Sequence, residues 1–214
     1  MRNIIYILTI FLLLTSCNEN KKSTDLNRII YNYPNNLLFD KDSTLTIINL
    51  DSLENFNDLI ESLDFIVCDY KTPVIHFESN KSEYNLIPMF ACSKRAPIGC
   101  YKERNVITID TDSIIVNYFR KTSIDSLRQI LRKHIVNEKK EFDFSDSPNR
   151  AFSILHVDNS FDIKKTKDIL IKMAEEFNKI NKDFNDSLSF HIRFDKTIFK
   201  PLKIPPPPKN ERID

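Results

Sequence analysis

Glycine is almost absent from this chain: among 214 residues there is one, Gly99. A loop that cradles a phosphate needs backbone N–H groups pressed close to the anion, which takes several glycines, so neither G-x-x-x-x-G-K nor G-x-G-x-x-G can be written here. The same shortage rules out the G-x-S-x-G turn that lifts a serine nucleophile off a strand. Nucleotide-dependent enzymes and the common serine hydrolases are thereby set aside. Tryptophan is missing altogether, and so is an excess of either charge, with 31 basic against 30 acidic residues. A nucleic-acid binder displaces counterions with a basic surplus, so no nucleic-acid partner is expected. The pairs Lys21-Lys22, Lys139-Lys140 and Lys164-Lys165 read as solvated faces. Metal-ligand spacing is lacking too. There is no C-x-x-C or H-E-x-x-H, and His76, His134, His156 and His191 are scattered. His134 and Glu138 stand four apart on an expected helix, the spacing of an ordinary exposed pair. No metal and no cofactor is expected.

What is present begins at the front. Met1-Arg2-Asn3 gives a positive start, Ile4 to Leu14 is an apolar run of eleven residues, shorter than the ~20 of a spanning helix, and Leu14-Thr15-Ser16-Cys17 puts small residues before a cysteine. This resembles a bacterial lipoprotein signal peptide with its lipobox. The resemblance implies that residues 1–16 are removed and that Cys17 is acylated as the first residue of the mature chain. Residues 17–26 then form a polar, lipidated tether. Loss of residues 1–16 takes only Arg2 from the charged set and leaves 30 basic and 30 acidic residues. The implied location is the cell envelope, with the membrane as partner through the lipid. Asn18 is not the Asp that retains many lipoproteins at the inner membrane, which tilts the expectation to the outer one.

In that oxidising compartment three other cysteines remain, Cys68, Cys92 and Cys100. Cys92 and Cys100 flank Ser93-Lys94-Arg95-Ala96-Pro97-Ile98-Gly99, where Pro and Gly favour chain reversal, so they are a candidate pair for closing a short loop. A bridge between them is expected as readily as its absence. Cys68, in Phe65-Ile66-Val67-Cys68, is expected as a buried thiol.

A first α+β region of unrecognised type is expected over 27–101. Thr44 to Asn49 reads as a strand. Asp51 to Leu63 reads as a helix capped by Asp51, with Leu53, Phe56, Leu59, Ile60 and Leu63 at helical spacing. Phe65 to Cys68, Val74 to Phe77 and Asn85 to Ala91 are short strand candidates interrupted by Pro73 and Pro88. A second region spans 105–199. Val106 to Asp110 and Ile114 to Tyr118, split by Thr111-Asp112-Ser113, predict a hairpin. Thr122 to Asp125 has the spacing of a capping box for a helix running to about Val136 through Ile124, Leu127, Leu131 and Ile135. Phe152 to Val157 follows as a strand. Asp162 to Asn181 is a long helix with Ile163, Leu170, Met173, Ala174, Phe177 and Ile180 on one face. Leu188 to Phe194 alternates as a half-buried strand. Residues 200–214 form a tail in which Pro205 to Pro208 permit only an extended rod. The order β-β-α-β-α-β predicts a two-layer α+β sandwich with both helices on one face of the sheet.

This second region resembles the periplasmic domain of the ExbD/TolR family of biopolymer-transport proteins, through the Ile107 to Tyr118 hairpin, the Ile124-Asp125-Ser126-Leu127 helix start, the strand Ser153 to Asp158 and the helix through Ile169-Leu170. Members carry an N-terminal membrane helix with an acidic residue, whereas Ile4 to Leu14 has none, so proton-driven work does not transfer. The resemblance implies dimerisation, or contact with envelope proteins or cell wall. Asp110 and Asp112 at a turn, and Asp158, Asn159, Ser160 and Asp162 ahead of a helix, have ordinary turn and capping roles; Asp143 and Asp146 lie in a loop with no role assigned. The expected function is a non-enzymatic, lipid-anchored interaction module. One alternative is a small hydrolase or metal-dependent enzyme using His156, Asp158 and His191. Another is a ligand-binding or immunity-type lipoprotein acting through 27–101.

Overall fold

In the computed structural model, residues 28–34, 44–79, 82–95, 102–117 and 120–197 are described. Among these residues the fold is α+β, with two sheets and three α-helices. The first sheet contains β1 (Ile29–Tyr33), β2 (Leu45–Asn49), β3 (Thr72–Glu78) and β4 (Ser82–Leu86) in the order β1-β4-β3-β2. Helix α1 (Phe56–Cys68) connects β2 to its parallel neighbour β3, while β4 returns antiparallel to β3 and pairs with β1 in parallel. The second sheet contains β5 (Val106–Asp110), β6 (Ser113–Val116), β7 (Arg120–Ser123), β8 (Phe152–His156) and β9 (Ile192–Phe194) in the order β7-β6-β5-β8-β9. Helices α2 (Leu127–Val136) and α3 (Ile163–Asp183) belong to this half and pack against each other.

The helix boundaries follow local chemistry. Asn49, not Asp51, caps a single 3-10 turn at Leu50–Ser52, and α1 starts one step later, where Asn55 and Asp58 form a reciprocal capping box. The expected strand Phe65 to Cys68 is the last turn of α1. Phe56, Leu59, Ile60, Leu63 and Ile66 carry the buried stripe through it, and Phe65 is 76% exposed as that helical phase demands. Ser123, rather than Thr122, accepts the Asp125 N–H at the entrance to a 3-10 turn that leads into α2. Two strands carry no sequence expectation. β1 was hidden because both its faces hold large side chains; β7, Arg-Lys-Thr-Ser, because it holds almost no apolar ones. Leu188, Phe190, Ile192 and Phe194 are all buried as the alternation demands, yet only Ile192–Phe194 pairs with β8.

The division near residue 101 falls between the sheets, but the core crosses it. Most of the buried hydrophobic side chains of both halves form one cluster. Tyr33 of β1 packs edge-on against Phe177 of α3 and Phe190, at ring distances of 5.6 and 5.2 Å, and its buried hydroxyl donates to Asn178. Phe56 at the start of α1 meets Phe194 of β9. The Ile163 N–H donates to the Glu54 carbonyl at 2.8 Å, Lys167 pairs with Asp51 at 2.6 Å, and the Met89 N–H donates to the Ile192 carbonyl at the free side of β9.

One buried polar side chain makes the fold sensitive to acid. His134 on α2 is fully enclosed, with Nε2 3.1 and 3.2 Å from the carbonyls of Asn105 and Phe152 and Nδ1 without a partner among the described residues. Burial pulls its pKa down to about 4, so the folded chain holds it neutral. The unfolded chain takes up this proton near pH 6.5 and the folded chain only near 4, so stability falls as pH drops through that window, by roughly 2–3 kcal/mol at pH 4.5. Urea unfolding at pH 7 and pH 4.5 is expected to show that loss in the wild type and most of it gone in His134→Gln; an equal loss in both contradicts the assignment.

Candidate functional site

Cys17 and Cys100 lie outside the described residues. Cys92 does not bridge to Cys100: its sulfur is joined to Cys68, 24 positions earlier, with Cα atoms 4.9 Å apart. The reason lies in two elements. α1 continues far enough to put Cys68 at its C-terminal end, and the chain leaving β4 through Pro88 returns past that end. Cys68 is therefore not a thiol. The junction is clasped by polar contacts as well. Asp64 accepts from the Ser93 N–H at 2.7 Å and the Ser93 hydroxyl at 2.8 Å, while Arg95 donates to the Cys68 carbonyl at 3.0 Å and lies 3.8 Å over the Tyr70 ring. The Ser93 N–H holds the Asp64 carboxyl below the usual range. Asp64, Cys68 and Cys92 bring ligand atoms within 4.8 Å of one another, but a bridged sulfur is not a thiolate ligand.

The residues of the hydrolase alternative are not gathered into one pocket. His156 ends β8, with Nδ1 3.0 Å from the Asp195 carbonyl and its ring edge-on to Phe56. Asp158 accepts from Ser160, whose hydroxyl and N–H hold its carboxyl low, and its own N–H donates to Thr111. His191 instead lines a small hole with Leu131, Ile135 and Phe190 beside Ala151 and Ser153. That hole lies at the start of β8, roughly 10 Å along the strand from its other end. The loop acids hold structure: Asp143 pairs with Asn117 and Arg120, Asp146 with Lys102 and Arg104, and Asp112 with Lys165.

A wider cleft than that hole lies elsewhere, between the β1 edge of the first sheet and the C-terminal half of α3. Tyr31 of β1 and Tyr84 of β4 are register partners on parallel strands, so their rings share a face and stack at 5.5 Å. Phe77 of β3 stands opposite Tyr84 and stacks on it at 5.0 Å. Exposure rises along this three-ring stack, from 1% at Phe77 and 2% at Tyr84 to a half-buried Tyr31 at the outer strand. The facing wall is one stripe of α3, Glu175, Asn178, Lys179 and Lys182, at positions i, i+3, i+4 and i+7, and Ser79 and Ser82 at the β3–β4 turn complete a cleft of about 470 Å³.

The charges in the cleft are partly spoken for. Glu175 bonds Arg128 at 2.7 Å and Lys179 faces Glu176 at 3.5 Å, while Lys182 has no ion-pair partner among the described residues. Burial raises the Tyr84 phenol, which the Ser79 and Ser82 hydroxyls accompany. Among the described residues no histidine or cysteine lines the cleft. Its residues were invisible to sequence spacing: Tyr31 and Tyr84 become neighbours only through a parallel pairing, and α3 lies some ninety residues further on. The alternating Tyr31 and Tyr33 were the one local sign.

Comparison with protein-family models, curated proteins and solved structures returns no match. Among the described residues no helix is long and apolar enough to cross a membrane.

The bridge has a direct check. Peptide mapping without reduction is expected to join the fragments holding Cys68 and Cys92, and replacing both by alanine is expected to cost roughly 3 kcal/mol of stability. A Cys92–Cys100 linked fragment contradicts the pairing.

Proposed function

We propose that this is a membrane-anchored lipoprotein of the bacterial cell envelope that works by binding and not by catalysis, with the cleft beside β1 as its working surface. The observation that carries the reading is the composition of that cleft, which offers stacked aromatic rings, hydroxyls, an amide and ammonium groups and, among the described residues, no nucleophile paired with a base. The lipobox ending at Cys17 supports the anchor, and the Cys68–Cys92 bridge supports an oxidising compartment. Eleven residue steps separate Cys17 from Arg28, a reach of at most roughly 40 Å. The cleft therefore works close to the membrane surface.

A protein partner is the second reading. The outer strands of the first sheet expose Ile30 (59%) and Ile47 (68%). The edges of the second sheet are guarded, one by Arg120 and Lys121 and the other by the Met89 N–H. Among the described residues no further strand pairs with the edges of the first sheet, and an apolar-flanked edge is the type of surface that takes an added strand. This reading keeps the resemblance of the second half to the ExbD/TolR periplasmic domain, the half here running hairpin, β7, helix, strand, helix, strand.

Mass analysis of the N-terminal fragment tests the anchor. The wild-type chain is expected to begin at an acylated Cys17, and Cys17→Ser to retain Met1 and the whole apolar run. A mature wild-type chain that keeps Met1 and an unmodified thiol contradicts the proposal.

A further inference from the structure

We infer that the cleft between β1 and α3 binds an acidic saccharide, with a sugar ring laid on the outer face of Tyr31 and its carboxylate directed to Lys182. This inference rests on the reading of that cleft as the working surface and names the class of ligand it takes.

The stack of rings is the first argument. Phe77, Tyr84 and Tyr31 follow one another at 5.0 and 5.5 Å with interplanar angles of 14° and 16°, and among the described residues the series stops at the edge strand. Tyr31 has one face against Tyr84 and lines the cleft. A fourth flat partner continues the series. A pyranose provides one, because its axial C–H bonds make an apolar face while its hydroxyls point outward around the rim.

The walls select among flat partners. Apart from the tyrosine rings, every lining residue among those described is a hydroxyl, amide, carboxylate or ammonium bearer, with no aliphatic side chain among them. Sites for apolar ligands are lined mainly by hydrophobic groups, so an acyl chain or an aromatic hydrocarbon finds no complement here. A ring edged with hydroxyls does. Ser79, Ser82, Asn178 and Glu175 supply donors and acceptors at its perimeter. Asn178 accepts from the Tyr33 hydroxyl through Oδ1, which turns its amide nitrogen to other acceptors.

Charge fixes the remaining feature. Glu175 is matched by Arg128 and Lys179 by Glu176, which leaves Lys182 as the cation of the cleft without a counter-charge among the described residues. One cation calls for one anionic group on the ligand. A polyanion is disfavoured because it would set its other charges beside Glu175 and Glu176. The volume of about 470 Å³ suits one or two sugar rings.

The test is a titration of the full-length protein in detergent with glucuronic and galacturonic acid, with glucose and galactose as their neutral counterparts and inorganic phosphate and a Phe-Glu dipeptide as probes of the other chemistries, followed by ligand-observed NMR. At least one uronic acid is expected to saturate in the millimolar range. Tyr31→Ala is expected to weaken it about tenfold while Tyr31→Phe, which keeps the ring, stays close to wild type. Lys182→Ala is expected to remove a preference of about threefold to fivefold for the acid over its neutral counterpart. Thermal melting checks that each variant is folded. The inference is overturned if no sugar saturates, if phosphate alone competes, if the dipeptide binds where no sugar does, or if Tyr31→Ala binds as tightly as wild type. A negative titration with normal processing at Cys17 removes the ligand class and leaves the anchor, whereas failed processing removes the anchor and leaves the titration standing.

Discussion

Helix α3 has a buried face too wide for a single partner. Its enclosed residues, Thr166, Ile169, Leu170, Met173, Ala174, Glu176, Phe177, Ile180 and Asn181, sweep an arc of roughly 160° at 100° per residue, where an ordinary surface helix buries a stripe of about 100°. The extra width is met from both sides. α2 packs on it within the second half, and Tyr33 of the first sheet closes against Phe177. Because the helix is shared, the two sheets do not have independent cores. Tyr33, Phe177 and Phe190 form an aromatic cluster across the shared contact, with Phe177 and Phe190 stacked at 4.7 Å.

The position of the cleft is a consequence of that sharing. Tyr33 is drawn against Phe177 and Asn178, so the residue two earlier on the same face of β1, Tyr31, is carried along the helix to its next turns. There the buried stripe gives way to Glu175, Lys179 and Lys182, and the gap between sheet and helix opens instead of closing. The aromatic stack across β3, β4 and β1 thus begins in the core and ends in solvent-facing space. The same strand that fastens the first sheet to the second supplies the wall of the site.

Much of the second half could be read from sequence because its elements are amphipathic in isolation: the β5–β6 hairpin, the α3 stripe and the alternation from Leu188 to Phe194 all bury the residues their periods select. The first half was less legible. Phe65-Ile66-Val67-Cys68 is a short apolar run that fits a strand or a helix equally, and only its continuity with Leu59 and Leu63 decides for the helix. That one ambiguity also hid the disulfide, since a strand ending at Cys68 gives no reason for Cys92 to return to it. β1 and β7 have no amphipathic period to detect. The cleft joins residues from three distant stretches, and such a juxtaposition depends on strand order, which periodicity does not encode.

One helix, α3, holds both sheets in a single cooperative unit. Hydrogen exchange on Phe177→Ala, a substitution expected to cost about 3–5 kcal/mol, reads it most directly. Protection is expected to fall together, by a similar factor, at β3 and β4 of the first sheet and at β5 and β8 of the second. Loss confined to the second sheet, with the amides of β3 and β4 as slow as in the wild type, would contradict it.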